Sequence, residues 1–219
     1  MCWLNKIRSL LSGQQAQQQG AKRNGWDAFK NRGMKKKQAS AYLRLPSSPD
    51  AQTETGETDV MRVLVISDTH GVHKNLDRVL EKERPYDLVI HLGDIEGDED
   101  YLEAAAGCPV AAVRGNNDYF SELPQEQLVE VAGKRILLTH GHYYYVVAGL
   151  EHLTREAQGR GVDMVMFGHI HRPVVRQEGD LTIINPGSLS YPRQEDRKPS
   201  YIVMEIQPHG ELEIFLKFI

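Results

Sequence analysis

Seven side chains with the chemistry of metal ligands lie in five short motifs of the 219-residue chain. In chain order, the motifs are Asp68-Thr69-His70, Gly93-Asp94, Gly115-Asn116-Asn117-Asp118, His140-Gly141-His142 and Gly168-His169-Ile170-His171. Carboxylate oxygens and imidazole nitrogens suit borderline divalent ions such as Mn²⁺, Fe²⁺ and Zn²⁺. A set of this size exceeds what one ion needs once water is counted, and it suits two ions about 3.5–4 Å apart that share one carboxylate. The motifs therefore predict a site for two metal ions.

Each motif follows a segment with the apolar pattern of a buried β-strand. The five segments are 62–67, 87–91, 109–113, 134–139 and 162–167. The spacing of apolar residues also predicts helices over 73–83, 99–106 and 146–159, and from residue 174 onward the pattern indicates antiparallel hairpins. Because ligands gather at the carboxyl ends of strands in open α/β sheets, we expect the motifs to meet at one edge.

The ordered motif set D-x-H, G-D, G-N-x-D, H-G-H and G-H-x-H resembles that of the calcineurin-like metallophosphoesterase superfamily. Residues 61–219 are similar to its small bacterial and archaeal phosphodiesterases, which are relatives of the retromer subunit with this fold. The similarity includes the later segment Ile184-Asn185-Pro186-Gly187-Ser188. One motif alone arises often by chance, whereas all of them in order, each at a predicted strand end, form a specific signal. The resemblance implies an α/β fold, a four-layer sandwich in which two mixed β-sheets are flanked by helices.

Carried over residue by residue, the family pattern also implies a ligand set and a reaction. It implies that the first metal is bound by Asp68, His70 and His171, the second by Asn116, His140 and His169, and that Asp94 bridges the two. The implied activity is metal-dependent hydrolysis of a small phosphodiester, by attack of a hydroxide that bridges two divalent ions. Manganese is the expected metal, with iron, zinc or nickel as alternatives.

The position of Asn117 departs from the pattern of many family members, which have a histidine there that is thought to protonate the leaving oxygen. A neutral amide cannot act as a general acid near pH 7, although it can donate a hydrogen bond to phosphate. The small-phosphodiesterase subgroup often lacks this histidine, so the site is still expected to be active, with a preference for activated or specialised diesters. His142 is the candidate substitute acid, and the alternatives are that it orients a metal ligand or binds phosphate, or that it is a plain loop residue.

Several other polar residues have two interpretations each. Asp118 could hydrogen-bond a ligand or cap a turn, and Asn185 and Ser188 could line a substrate entrance or form a turn. Arg114 could contact phosphate or form a structural salt bridge. His91 lies inside a predicted strand, so we expect it either in the core or in support of a metal ligand.

Charge divides the chain into two parts. Residues 1–44 hold ten Lys or Arg and one acid, Asp27, whereas the remainder holds 16 bases and 29 acids. We therefore expect no nucleic-acid surface on the acidic domain, because binding to nucleic-acid phosphates needs clustered Lys and Arg. We predict a basic, low-complexity, disordered extension over residues 1–60 and a metallophosphoesterase domain over 61–219. The alternatives for the extension are an arm for nucleic acid or anionic lipid, and a gene-start artefact with translation beginning at Met61.

The remaining composition narrows the class of protein. Two cysteines exclude a disulfide scaffold, and no apolar run reaches the roughly 18–20 residues that a membrane span needs. With no recognisable secretory signal, a cytoplasmic location is expected.

The run Tyr143-Tyr144-Tyr145 could stack on a base or form the interface of a homo-oligomer. Two rivals to the phosphodiesterase remain, a non-catalytic interaction module of the same fold and a nuclease, and the complete ligand set favours the enzyme.

Overall fold

The computed structural model describes residues 43–44 and 60–219. The described residues form eleven strands and three α-helices. The strands are β1 (Leu43–Arg44), β2 (Met61–Ile66), β3 (Leu88–His91), β4 (Val110–Ala112), β5 (Glu126–Val131), β6 (Lys134–Thr139), β7 (Met164–Met166), β8 (Pro173–Glu178), β9 (Leu181–Pro186), β10 (Ser200–Ile206) and β11 (Leu212–Phe218). The helices are α1 (His73–Lys82), α2 (Glu99–Ala106) and α3 (Glu151–Arg160). The predicted extension over residues 1–60 lies outside the described residues, apart from β1 and residue 60.

The strands form two mixed sheets. The five-stranded sheet has the order β11-β10-β2-β3-β4, in which β2, β3 and β4 are parallel and the β10–β11 hairpin is antiparallel. The six-stranded sheet has the order β1-β5-β6-β7-β9-β8, in which β6, β7 and β9 are parallel. Strands β2, β3, β6, β7 and β9 lie in the interior of their sheets, whereas β4 is an edge strand. The five motif loops follow the carboxyl ends of β2, β3, β4, β6 and β7.

The two sheets pack face to face, and each is covered by helices on its outer face. Alternate residues of β2 point to opposite sides, because side chains on a strand alternate between the two faces of the sheet. Val63 and Val65 lie in the core between the sheets, whereas Leu64 and Ile66 pack with residues of α1 and α2. A third apolar cluster joins the other face of the six-stranded sheet to α3. This arrangement confirms the predicted four-layer sandwich and explains the continuous apolar runs of its strands.

The structure differs from the sequence-based expectation at two elements. Strand β5 is absent from the sequence-based prediction, because Glu126–Val131 (EQLVEV) shows neither a continuous apolar run nor a regular alternation, and its hairpin to β6 turns on Ala132-Gly133. Both turn residues have positive φ, 47° and 78°, as a type I′ turn requires, but the sequence lacks the usual Asn-Gly or Asp-Gly signal. The helix expected over 146–159 begins only at Glu151, after a 3₁₀ turn over His142–Tyr144.

A bilayer-crossing helix is not found in the part of the chain that the structure describes, since none of its helices combines the necessary length and apolar character.

Candidate metal centre

The parallel strands of both sheets deliver the predicted ligands to one edge. Asp68 follows β2, Asp94 follows β3 and His140 follows β6. The Nδ1 atom of His140 donates a hydrogen bond to the carbonyl oxygen of Leu92 at 2.7 Å, which ties the ligand loop of one sheet to that of the other. The convergence predicted from strand polarity is therefore observed.

One group of side chains is arranged around a common centre. Ligand atoms of Asp68, His70, Asp94 and His171 all lie within 4.8 Å of one another. The Nε2 atom of His171 is 3.1 Å from Oδ1 of Asp68 and 3.3 Å from Nε2 of His70. These are the residues that the family resemblance assigns to the first metal together with the bridging carboxylate.

A second group shares the Asp94 carboxylate. The Nε2 atom of His140 lies 3.1 Å from Oδ1 of Asn116 and 3.4 Å from Oδ2 of Asp94. The same Oδ2 atom is 3.7 Å from Nε2 of His70 in the first group. The His169 ring is centred 5.1 Å from that of His140. Asp94 thus stands between the two groups, in the position that a bridging ligand requires.

Hydrogen bonds at Nδ1 orient three histidine rings so that their Nε2 atoms face the other candidate ligands. Nδ1 of His70 faces Glu96 Oε1 at 2.7 Å, and Nδ1 of His171 faces the Tyr191 carbonyl at 2.8 Å, as His140 faces Leu92. Because these partners only accept hydrogen bonds, each Nδ1 carries a proton, and in the neutral form of each ring Nε2 presents a lone pair. Two such lone pairs, on His70 and His171, then face each other at 3.3 Å, an arrangement that a shared cation stabilises.

The buried carboxylates also match a cation. Oδ1 of Asp68 is inaccessible to solvent and makes no hydrogen bond within the described residues, although His171 Nε2 is 3.1 Å away. Burial alone would raise the pKa of Asp68, but His171 and His140 lower it below its usual range. Burial opposes ionisation of Asp94 in the same way, and the neighbouring His140 with the Asn117 N–H nevertheless lowers its pKa. Both groups are therefore anionic at neutral pH, and the donor set fits divalent metal ions.

The backbone of the site is strained at the ligands themselves. Five of the seven predicted ligands have positive φ, between 47° and 70°: Asp68, His70, Asp94, His169 and His171. This conformation is uncommon for residues other than glycine and persists only where the surroundings enforce it. The loops also pack closely beside Asp94, because a Cβ atom on Gly115 would lie 2.1 Å from Oδ1 of Asp94, so that only glycine fits at position 115.

Three residues with open interpretations turn out to support the ligand loops. Ser188 Oγ donates to the Asp68 carbonyl at 2.9 Å, and Asn185 Nδ2 donates to the Gly168 carbonyl at 2.7 Å. Both side chains are fully buried, so they hold the loops and do not line a substrate entrance. The Asp118 carboxylate accepts only backbone N–H groups within the described residues, four in all.

The two predicted catalytic residues outside the ligand set lie beside the centre. The Asn117 side chain donates to Oδ2 of Asp94 at 2.8 Å and its backbone N–H donates to Oδ1 at 2.9 Å. The His142 ring lies 5.5 Å from that of His140. Burial and the nearby charges of His140 and His169 lower the pKa of His142 to about 4. An imidazole with this pKa is neutral at pH 7, where it donates a hydrogen bond and not a proton.

The support of His70 by Glu96 was missed by sequence reasoning. Glu96 has a φ of 63° and follows the G-D motif by two residues, with no motif of its own to mark it. The guanidinium of Arg114, whose role was left open, makes no ion pair among residues 60–219, and its charge helps to lower the pKa of His142.

Comparisons with known proteins identify the family. A family model described as the calcineurin-like phosphoesterase superfamily domain matches residues 61–209. The chain is 34% identical over 148 residues to a probable metallophosphoesterase, YsnB, of Bacillus subtilis, covering 67% of this chain and 85% of that protein. It is 32% identical over 158 residues to the phosphodiesterase YfcE of Escherichia coli K12, covering 61% and 82% respectively.

Solved structures show the same fold. A predicted phosphoesterase from Streptococcus pneumoniae superposes with a TM-score of 0.60 at 25% identity, covering 74% of this chain and 100% of that one. Vps29 from Entamoeba histolytica, crystallised with zinc, superposes with a TM-score of 0.57 at 21% identity, covering 72% and 99%. Identity this low shows the fold alone, whereas the family match spans most of the chain. The chain therefore belongs to the calcineurin-like phosphoesterase superfamily.

Proposed function

We propose that this protein is a phosphodiesterase that hydrolyses a small phosphodiester with two divalent metal ions. The observation that carries the proposal is the position of Asp94, whose Oδ2 atom lies 3.7 Å from His70 Nε2 and 3.4 Å from His140 Nε2. One carboxylate between two groups of imidazoles is suited to hold a pair of cations a few ångströms apart. The phosphodiesterase YfcE, at 32% identity, supports the choice of a diester.

The proposed ligands are those that the family pattern implies. Asp68, His70 and His171 would bind the first ion, and Asn116, His140 and His169 the second, with Asp94 between them. When bound, the two ions would supply a hydroxide nucleophile at neutral pH and neutralise charge on the phosphoryl oxygens. Mn²⁺ is the proposed ion, and Fe²⁺, Zn²⁺ and Ni²⁺ are the alternatives to be compared with it.

The residues of the chain itself contribute orientation and hydrogen bonds. Hydrolysis joins a water oxygen to phosphorus and breaks one ester P–O bond, whose electron pair and a proton go to the leaving oxygen. His142, neutral at pH 7, would donate a hydrogen bond to the phosphate. Asn117 would orient the Asp94 carboxylate through its 2.8 Å bond. Neither residue would transfer a proton to the leaving oxygen at pH 7. Diesters with activated leaving groups, which depart without a proton, should therefore be hydrolysed fastest.

The test measures hydrolysis of bis(p-nitrophenyl) phosphate by the full chain after treatment with chelator and after reloading with Mn²⁺, Fe²⁺, Zn²⁺ or Ni²⁺. We expect turnover of the diester only in the reloaded samples. The same samples should hydrolyse the monoester p-nitrophenyl phosphate at only a small fraction of the rate for the diester. Metal binding measured by calorimetry without turnover on any diester would instead support the non-catalytic interaction module. A preference for oligonucleotides over small diesters would support a nuclease.

A further inference from the structure

A cleft of about 560 Å³ opens directly beside the candidate metal centre. One wall comes from the loop after β3 and the start of α2, with Glu96 and Glu99, and the other comes from the loop after β4, with Tyr119 and Phe120. This volume is within the range of pockets that bind small organic molecules, about 300–1,000 Å³.

The cleft is continuous with the metal centre because the two share residues. Asn117 forms part of the cleft lining, and its side chain donates to Oδ2 of Asp94 at 2.8 Å. Glu96 also lines the cleft, and its Oε1 atom lies 2.7 Å from Nδ1 of His70. A phosphodiester with its phosphate at the metal centre would therefore extend one of its two alcohol groups into the cleft.

The aromatic wall of the cleft is exposed to solvent. The relative exposure of Tyr119 is 78% and that of Phe120 is 101%, so neither ring is used in the core. Two adjacent exposed rings beside the candidate centre form an apolar surface of the kind that ligand-binding grooves present. The faces of such rings attract organic cations, most strongly quaternary ammonium groups.

The charge of the cleft has one sign. Three of its lining residues are acids, and no Lys or Arg is among the described residues that line it. The Asp118 carboxylate is occupied by backbone N–H groups, and Glu96 is occupied by His70. Glu99 remains, and its Oε1 atom is shielded from solvent without a hydrogen-bond partner in the described chain. A cleft lined by a carboxylate and two aromatic rings is complementary to an alkylammonium group.

We propose that this cleft binds the cationic alcohol group of the substrate, so that the enzyme selects water-soluble phosphodiesters of an alkylammonium alcohol such as choline. This inference rests on the proposed function for the phosphate half of the substrate. Glu99 neutralises the ammonium charge, and Tyr119 and Phe120 contact its methyl groups. The phosphate carries the charge that the metal centre attracts, and the cleft distinguishes between the alcohols attached to it.

The first test measures binding without turnover. Choline and its neutral analogue 3,3-dimethyl-1-butanol are added to the full chain in chelator, and binding is followed by ligand-detected saturation-transfer NMR. Choline should bind at least about 5-fold more tightly than the neutral analogue, as expected for a cation–π contact near a carboxylate. Equal binding of the two ligands would overturn the proposal.

Substitutions then locate the bound ligand. Glu99→Gln and Phe120→Ala should each weaken choline binding by about 3-fold or more. The matched controls are Glu81→Gln, on the exposed side of α1, and Phe215→Ala, on β11, because neither residue lines the cleft. Loss of choline binding in the controls as well as in the cleft variants would place the ligand elsewhere and overturn the proposal.

A turnover comparison separates this inference from the proposed function. With Mn²⁺ present, kcat/KM for glycerophosphocholine should exceed that for the uncharged-alcohol diester glycerophosphoglycerol by at least about 5-fold. If bis(p-nitrophenyl) phosphate is hydrolysed and glycerophosphocholine is not preferred, the cleft proposal fails and the phosphodiesterase stands. If choline binds as expected but no diester is hydrolysed, the catalytic proposal fails and the cation site stands.

Discussion

The Asp118 carboxylate binds the backbone of Asp94, the residue between the two ligand groups. Its Oδ2 atom accepts hydrogen bonds from the N–H groups of Asp94 at 2.8 Å and Gly115 at 2.7 Å. Its Oδ1 atom accepts from Ile95 at 2.8 Å and Glu96 at 2.6 Å. One buried side chain therefore joins the loop after β3 to the loop after β4 and holds Asp94 in its positive-φ conformation.

Asp118→Asn should destabilise the protein and weaken metal binding together. An amide presents an NH₂ group to two of the four N–H donors, which leaves those donors buried without an acceptor. The free energy of unfolding should fall by at least about 2 kcal/mol, and Mn²⁺ affinity should fall by about 10-fold or more. Urea unfolding and calorimetry measure the two effects. The matched control is Asp180→Asn in the exposed β8–β9 turn, and a similar loss in that variant would show that the Asp118 hydrogen bonds carry no special role.

Asp94→Asn should abolish turnover because it removes the negative charge that both ion sites share. The side chain stays nearly the same size, so the fold is expected to persist. We expect at least about a 100-fold loss in kcat for bis(p-nitrophenyl) phosphate and weaker binding of both Mn²⁺ ions, not of one alone. Calorimetric titration gives the number of ions bound. Retention of one ion at wild-type affinity would contradict a shared carboxylate.

The resemblance of the motifs implied the sandwich, and the strand pattern of the sequence predicted the convergence of the ligands. Strands such as β2 are buried on both faces, so their apolar runs are continuous and easy to identify. Their parallel direction then brings every following loop to one edge, whatever the separation along the chain. For this reason Asp68 and His171, which are 103 positions apart, could be expected within a few ångströms of each other.

The supporting contacts could not be predicted, because they depend on backbone geometry. Asp118 and Glu96 act on N–H groups or on an imidazole nitrogen whose positions are set only by the folded loops. The carbonyl oxygens of Leu92 and Tyr191, which orient His140 and His171, carry no sequence signal at all. Likewise, a two-residue turn of Ala132 and Gly133 gave no indication of the β5–β6 hairpin.

Substitution of His142 should distinguish a hydrogen-bond donor from a proton donor. With a pKa of about 4, the imidazole is neutral at pH 7 and donates only a hydrogen bond. His142→Gln, which keeps an N–H donor, should then retain at least about 10-fold more activity than His142→Ala. Within each variant, kcat/KM should fall by the same factor for a diester with a nitrophenyl leaving group and for one with an alkyl leaving group. A selective loss for the alkyl leaving group would instead identify His142 as the acid.

Asn117→His should increase the rate for poor leaving groups relative to good ones. An imidazolium at this position can transfer a proton to the departing oxygen, whereas the amide cannot. The same change removes the 2.8 Å bond to Asp94 Oδ2, so the absolute rates can fall while their ratio changes. The measurement is the ratio of kcat/KM for glycerophosphoglycerol to that for bis(p-nitrophenyl) phosphate. An unchanged ratio would exclude the leaving group as the reason that Asn117 matters.

His91 should make the metal-free protein less stable in mild acid. The Gly93 N–H donates to its Nδ1 atom at 3.2 Å, so the proton is on Nε2, which lies 3.1 Å from Thr69 Oγ1. Full burial lowers the pKa of His91 from 6.5 to about 4. The unfolded chain therefore takes up a proton as pH falls through 6.5, while the folded chain takes it up only near pH 4. The free energy of unfolding therefore falls as the pH decreases from 6.5 to about 4, and it is recovered as the pH increases.

The expected size of this effect is about 3 kcal/mol between pH 7 and pH 4. Urea unfolding in chelator, repeated across this range, compares the wild type with His91→Gln, whose side chain does not titrate. The difference in unfolding free energy between the two proteins should shrink by that amount as pH falls, since only the wild type loses the contribution of a neutral buried histidine. His152→Gln, at an exposed position of α3, controls for the removal of an imidazole in general. If the difference in unfolding free energy between the wild type and His91→Gln stayed constant, His91 would bind its proton equally well in the folded and unfolded chains. Its burial between the Thr69 and Gly93 loops would then not oppose a charge on the imidazole.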